Sequence, residues 1–442
     1  MQRALNTDAH IPPLAAAEFA ALIDRLASVS PPRLALAVSG GPDSMAMAFC
    51  AKRWAEETST NIIGFIVDHD LRAESPVEAE ATQATLATLG IPAEILRWQH
   101  GPIAARLHVE ARKARYQLLI DACHRHGIHH LLLAHQREDQ AETILMRFAK
   151  GSGIDGLAGI ATTSLMEDVH IWRPLLPVAK ERLIATCKAA NIPFVTDASN
   201  ESDRFARGRL RRVMPLLATE GLTIDRLVDL GNRAAAAKEA LDHVTALFLR
   251  ASTAMDEAGT IRINLAEFNP LPRAIAERVL EACLQTIHRE DYAPEHASVV
   301  TLREALQSDA IMPTRTLHGC LIAKSATTIT LTREYVGVGA TIIHPGETII
   351  WDQRWRVTWT TSTAPLAGVG YIKPLGLPPH DTLDRLAPGL RQRLPQGRVR
   401  ATLPSLWIGG VLTAVPPVTS GATDMPLHAQ LLTTGLTAPL RG

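Results

Sequence analysis

Ser39-Gly40-Gly41-Pro42-Asp43-Ser44 follows directly on the apolar run Arg33 to Val38 and precedes a helical stretch. That order describes a strand feeding a tight turn into a helix start. Gly40 and Gly41 let the backbone turn sharply and approach an anion, which the unpaired amides of the new helix face with the positive end of its dipole. Ser39 and Ser44 add hydroxyl donors. The run lacks the Gly-Lys-[Ser/Thr] ending whose lysine reaches terminal phosphates, so a pyrophosphate grip fits it better than γ-phosphoryl transfer. Taken alone, the same turn also reads as a plain helix start.

Two more clusters carry ionisable groups at strand ends. Val67-Asp68-His69-Asp70-Leu71-Arg72 closes a predicted strand, where an adenine or ribose lies in a doubly wound fold; a solvated strand exit is the competing reading. His135 follows another strand, and on the helix after it Glu138 and Glu142 are four apart and Asp139 and Glu142 three apart. Their carboxylates share a face, although acids at a helix start are also ordinary dipole partners. Arg204, Arg207, Arg209, Arg211 and Arg212 form the densest basic run, either a solvated helix face or a salt-sensitive contact to nucleic-acid phosphates. Arg391, Arg393, Arg398 and Arg400 are a second basic set. The histidines from His124 to His130 do not converge at a metal-ligand spacing, and Trp351, Trp355 and Trp359 stand at strand spacing that suits packing better than base stacking.

The elements that must position these residues alternate. Helices are predicted over Leu14–Ala27, Ser75–Leu89, Ile103–His126, Glu138–Lys150 and Arg182–Asn191, with strands over Arg33–Val38, Asn61–Val67, Ala93–Trp98 and His130–Ala134. This is an α/β pattern with a doubly wound, mainly parallel sheet whose ligands sit beyond the carboxyl ends of the strands. Past Val213 the texture becomes helical (Leu227–Arg250, Ala274–His288, with a strand at Thr260–Leu265), and past residue 310 short β segments take over, among them Thr327–Leu331, Thr341–Ile343 and Arg354–Trp359. Three domains are expected: 1–215 catalytic and nucleotide-binding, 216–310 helical, and 311–442 β-rich.

Composition bounds the function. With 442 residues, 46% hydrophobic and 20% charged, the chain describes a globular protein of more than one core. The 45 basic residues balance the 45 acidic ones, which disfavours coating of nucleic acid by bulk charge and leaves room for local basic patches. Five widely spaced cysteines without a Cys-x-x-Cys pair suggest neither a disulfide scaffold nor a paired-thiolate metal site. No apolar run reaches the length of a bilayer, and Met1 to His10 carries no apolar segment behind a basic start, so a cytoplasmic chain without a membrane partner is expected.

The strand, Ser-Gly-Gly-x-Asp-Ser and helix resemble the N-type ATP pyrophosphatase (PP-loop) superfamily. The remaining motifs narrow the likeness to the tRNA(Ile)-lysidine synthetases: Val67-Asp-His-x-Leu-Arg72, Ala111-Arg112-Lys-Ala-Arg115-Tyr116, Ala134-His135 through Glu142-Thr143, Gly151-Ser-Gly153 to Gly159, Arg173-Pro-Leu-Leu176, and Thr196 to Asp203 with Arg207. The matches cover roughly the first half of the chain. The resemblance implies that the C2 oxygen of the wobble cytidine in a CAU-anticodon isoleucine tRNA is adenylated, pyrophosphate leaves, and the side-chain amine of free lysine displaces AMP. It implies ATP held by Ser39 to Ser44, Asp68, His69, Arg112, Arg115 and His135, with Mg²⁺ neutralising the phosphates. It further implies that Asp43, Asp139 and Glu142 are catalytic, that Asp139 and Glu142 bind lysine, and that Arg204, Arg207 and Arg209 meet tRNA. The family usually has a second histidine and two adjacent aspartates where this chain has Gln136 and Glu138, keeping only Asp139; Asp70, Ala198 and Gly208 replace a glycine, a proline and an asparagine. A tRNA thiolase of the same superfamily and a non-catalytic tRNA-binding paralogue are the alternatives, and the sequence leaves a homodimer open.

Overall fold

The computed structural model describes residues 11–27, 29–70, 74–101, 107–195, 206–289, 292–308, 310–360, 369–416 and 427–432. Leu71, Arg72, the start of the predicted helix at Ile103, the loop Thr196 to Asp203, and Arg204 lie outside the described residues, as does the side chain of Arg207. The chain divides near Lys238 into two compact units.

In the first unit α1 (Ala16–Asp24), β1 (Arg33–Ala37), α2 (Pro42–Thr58), β2 (Asn61–Asp68), α3 (Ser75–Thr88), β3 (Ala93–Arg97), α4 (Leu107–Arg125), β4 (His130–Leu133) and α5 (Arg137–Ala149) alternate, as the apolar pattern predicts. Then come α6 (Ile154–Leu157), β5 (Thr163–Met166), β6 (Val169–Trp172), α7 (Lys180–Ala189), α8 (Ala206–Thr219) and the first half of α9 (Ile224–Ser252). The six strands form one sheet in the order β3-β2-β1-β4-β6-β5. Every pairing is parallel except the edge hairpin β5–β6.

β1 shows why this sheet is buried on both faces. Leu34, Leu36 and Val38 pack with Phe19, Ile23, Trp54 and Leu183, while Ala35 and Ala37 pack with Leu119, Ile120 and Cys123 of α4. Side chains alternate across a strand, so the unbroken apolar run from Leu34 to Val38 requires helices on both sides. The strand order reverses between β1 and β4, which opens a crevice at the carboxyl ends of these two strands.

The second unit holds the rest of α9, β7 (Thr253–Met255), β8 (Ile261–Asn264), α10 (Leu265–Phe268), α11 (Arg273–Ile287), α12 (His296–Gln307), β9 (Arg315–Leu317), β10 (Cys320–Lys324) and β11 (Thr328–Arg333). Its sheet runs β7-β8-β11-β10-β9, so strands from both sides of residue 310 share one core with α11 and α12. After it come β12 (Thr341–Ile343), β13 (Thr348–Trp351), β14 (Trp355–Trp359), β15 (Gly370–Pro374), α13 (His380–Leu386), α14 (Leu390–Arg393), α15 (Arg398–Ala401), β16 (Pro404–Ile408), β17 (Val411–Ala414) and β18 (Leu427–Leu431). Trp351, Trp355 and Trp359 are all buried in the core beneath the sheets β12-β15-β16-β17 and β13-β14-β18. No helix among the described residues is long and apolar enough to cross a membrane.

Candidate active site

The glycine turn is fixed by backbone geometry. Val38 still donates to Phe65 O at 2.9 Å, and the chain then leaves the sheet through Gly40 at φ +80°. A Cβ at Gly40 would collide with the Thr82 hydroxyl, so conformation and space both demand glycine. The Gly40 carbonyl accepts from the Val195 amide at 2.9 Å, tying the turn to the chain after α7. Gly41 is the N-cap of α2 and Pro42 opens the helix, so no side chain of the cap accepts from the first-turn amides. Ser44 braces this turn from within. Its hydroxyl accepts from the Ser39 amide at 3.1 Å and donates to Gly41 O at 3.0 Å, with Ser39 Oγ at 3.2 Å. The Ser44 proton is committed inside the loop, and Ser39 keeps the hydroxyl that can turn outward.

Across the crevice, α5 begins with a reciprocal cap. Gln136 Oε1 accepts from the Glu138 amide at 2.5 Å, and the Gln136 amide donates to Asp139 Oδ2 at 3.1 Å. Glu138 is engaged with another helix: its Oε2 accepts from the Lys180 amide at 2.9 Å and caps α7. One turn further along α5, buried Glu142 is gripped by Arg211 of α8, whose Nε donates to Oε1 and whose Nη2 donates to Oε2 at 3.3 Å. Of the basic run, Arg211 turns inward, while Arg209 and Arg212 on the same helix are exposed.

Asp43, in the first turn of α2, looks into this cluster. Burial pushes its carboxyl up to about 6; the charges of Asp139 and Glu138 add to the rise, and those of Lys180 and Arg211 oppose it. Its Oδ1 is buried without a protein partner. A buried, unpaired carboxylate oxygen at a phosphate cradle suits a hard divalent cation, which needs only one or two carboxylates when phosphates supply further ligands. Among the described residues no group of three or more acids, histidines or cysteines could cage a metal without such help.

The second cluster stands at the end of β2. Buried Asp68 builds the turn into α3, its Oδ1 accepting from the Asp70 amide at 3.0 Å and the Ser75 hydroxyl at 2.6 Å. Burial and the nearby charge of Arg115 push the His69 ring below its usual value, which leaves it neutral at pH 7. Its Nδ1 is buried without a protein partner, and the ring meets Trp98 edge-on at 6.4 Å. Arg115 lies half-buried on α4; Arg112 is exposed, with its guanidinium 5.1 Å from the Tyr116 ring centroid. His135 sits at the carboxyl end of β4, one residue before the α5 cap.

The loop Gly151 to Gly159 is clamped against α5. Arg147 donates to Gly156 O and Gly159 O at 3.1 and 2.7 Å, while Gln140 exchanges hydrogen bonds with Ile160. The histidines of 124–130 serve elsewhere, at the amino ends of the strands. His124 and His129 both reach Asp168, and His126 pairs with Glu94 at 2.8 Å.

The sequence arguments, helical spacing for Asp139 and Glu142 and the resemblance for Asp43, name three carboxylates whose charges all act on Arg211. They miss Arg211 and Lys180. Arg211 borders the apolar stripe Leu210, Met214 and Leu217, a helical spacing that could have marked it as inward-facing. Lys180 has no sequence signal.

The PP-loop domain family matches residues 15–217. A tRNA(Ile)-lysidine synthase of Ruegeria pomeroyi is 34% identical over 393 residues, covering 88% of this chain and 90% of that one. The enzyme of the same name from Rhodopseudomonas palustris is 42% identical over 283 residues, 63% of this chain and 81% of that one. A solved U34-tRNA thiolase of Methanococcus maripaludis covers 50% of this chain and 79% of that one at 16% identity and a TM-score of 0.43. At this identity and coverage, with the glycine turn and the α5 acids in place, the chain belongs to the tRNA(Ile)-lysidine synthase family.

Proposed function

We propose that this chain uses ATP to ligate free lysine to C2 of the wobble cytidine in the CAU-anticodon isoleucine tRNA. The observation that carries the reading is the meeting of Asp43, from the glycine turn, with Asp139, Glu142 and Arg211. The C2 oxygen of cytidine attacks the α-phosphorus of ATP, and pyrophosphate leaves as the α–β bridge breaks. Lysine nitrogen then attacks C2, and AMP departs with that oxygen. The uncapped amides of α2 and Ser39 hold the phosphates, and neutral His69 offers its ring nitrogen to the nucleoside. Asp43 and the second oxygen of Asp139 would hold Mg²⁺, which lowers the charge barrier between phosphate and nucleophile.

A lysine ammonium has an ordinary pKa of about 10.4 and must lose a proton before it attacks. Asp139 and Glu142 would bind that ammonium, and a carboxylate or water takes the proton. Exposed Arg209, with Arg204 and Arg207, would meet the tRNA backbone. Sulfur delivery finds no support in the thiols: all five are buried, and burial pushes Cys50, Cys123 and Cys320 up to about 12.

The test is incorporation of labelled lysine into unmodified isoleucine tRNA, with and without ATP. Incorporation that needs ATP and releases AMP supports the reading. Release of ADP, or tRNA binding without incorporation, overturns it.

A further inference from the structure

Glu142 is buried on α5, and one side chain occupies both of its oxygens, the guanidinium of Arg211. Arg211 is itself 35% exposed, so water and solutes can reach the cation while its partner stays inside. The negative charges of Asp139 and Asp43 also act on this guanidinium. It therefore stands where an ammonium ion would have to stand to reach the same three carboxylates. Arg211 already takes both oxygens of Glu142, so a second cation must displace it or share them against its repulsion.

We propose that Arg211 is the resident occupant of the amine site, that the incoming lysine ammonium displaces it, and that this exchange sets the lysine concentration at which ligation begins. The inference rests on the lysine-binding role proposed above for Asp139 and Glu142. A resident cation has a clear physical use. A buried carboxylate left without a partner is costly. Arg211 holds both Glu142 oxygens between turnovers and yields to another cation. The exchange does not require α8 to move. Leu210, Met214 and Leu217 anchor that helix beside Ile144 and Leu145, and Arg211 lies at the edge of that stripe on a long, rotatable side chain.

The experiment titrates lysine in the incorporation assay with the full chain and its Arg211→Gln, Arg211→Lys and Glu142→Gln variants, and measures pyrophosphate release without lysine beside it. Removing the competitor in Arg211→Gln should lower the lysine KM about fivefold, whereas Glu142→Gln should raise it about tenfold. Arg211→Lys, which keeps the charge but loses the two-pronged grip, should lower it about twofold and carries the test if the glutamine variant does not fold. A lysine KM that rises or stays put in the Arg211 variants overturns the proposal, because Arg211 then orients Glu142 or serves the phosphates. A lysine KM unmoved in Glu142→Gln means instead that the amine site is misplaced, and the proposed role of the α5 acids falls with it.

Discussion

Two buried ion clusters in this molecule use the same chemistry to different ends. In the second unit Asp352 accepts from Arg333 at 3.2 Å on each oxygen and from Arg354 Nε at 2.9 Å. Its side chain is 10% exposed and those of the two arginines 4% and 3%. Arg333 spends a further donor on Gly319 O at 2.8 Å. In the first unit Glu142 is just as deeply buried, but its arginine is half-open to solvent, and neighbouring Asp43 keeps a carboxylate oxygen with no protein partner. The Asp352 cluster is sealed and its carboxylate saturated. The Glu142 cluster is reachable and short of cations, and that shortage is what a substrate amine and a metal ion can fill.

The contrast makes opposite demands on stability and activity. Asp352→Ala leaves two guanidiniums buried without a counter-charge and should cost about 3–5 kcal/mol, read as a fall in the urea midpoint of the second unit. A loss below about 1 kcal/mol would place Asp352 among ordinary surface pairs. Asp43→Asn should slow lysine-independent pyrophosphate release by at least about a hundredfold. It should also melt higher than the wild type at pH 8. Because the folded Asp43 pKa is raised to about 6 from 3.8, its contribution to stability is present below the unfolded value and is lost as pH rises through about 6. Wild-type pyrophosphate release should fall as pH drops below the same value, when Asp43 is protonated. An Asp43→Asn variant that melts lower than wild type at pH 8 would break the comparison, since Asp43 would then be a structural acid like Asp352.

Much of the first unit is legible in the sequence because its signals are local. Unbroken apolar residues from Leu34 to Val38, a glycine at φ +80° and proline at the first helical position fix strand, turn and helix without distant help. Asp139 and Glu142 follow from helical spacing, and Asp43 from the resemblance of its glycine turn. What is not legible is the set of partners that chain topology brings in. Lys180 arrives from α7 and Arg211 from α8, and nothing near either residue announces Glu138 or Glu142. The β5–β6 hairpin turns on Glu167 and Asp168, with Glu167 at φ +54° and no glycine or asparagine to mark it. Gln136 stands where the family usually carries histidine, and the structure gives its amide a cap to make. The strands on the two sides of residue 310 pair with each other, a long-range choice that periodicity does not encode.

The smallest effect belongs to Glu138, whose hydrogen bond goes to α7 and which reaches Asp43 through its charge. Ala179 caps α7 with no side-chain acceptor, and Glu138, from 42 residues earlier in the chain, supplies the missing oxygen to the Lys180 amide. Glu138→Ala should therefore cost about 1 kcal/mol, the usual worth of a helix cap. Glu138→Gln keeps an amide oxygen for that bond, and should hold most of the stability. The two variants also separate in pH dependence. Glu138's charge helps raise the Asp43 pKa and Lys180's charge lowers it. The glutamine variant loses the first influence and keeps Lys180 in place, so the acid limb of pyrophosphate release should move to lower pH. The alanine variant loses the same charge but also releases the start of α7, and with it the hold on Lys180, so its limb should move less while its urea midpoint falls further. Equal pH profiles for the two variants would mean that the cap on α7 does not position Lys180, and that the lysine acts on Asp43 without help from Glu138.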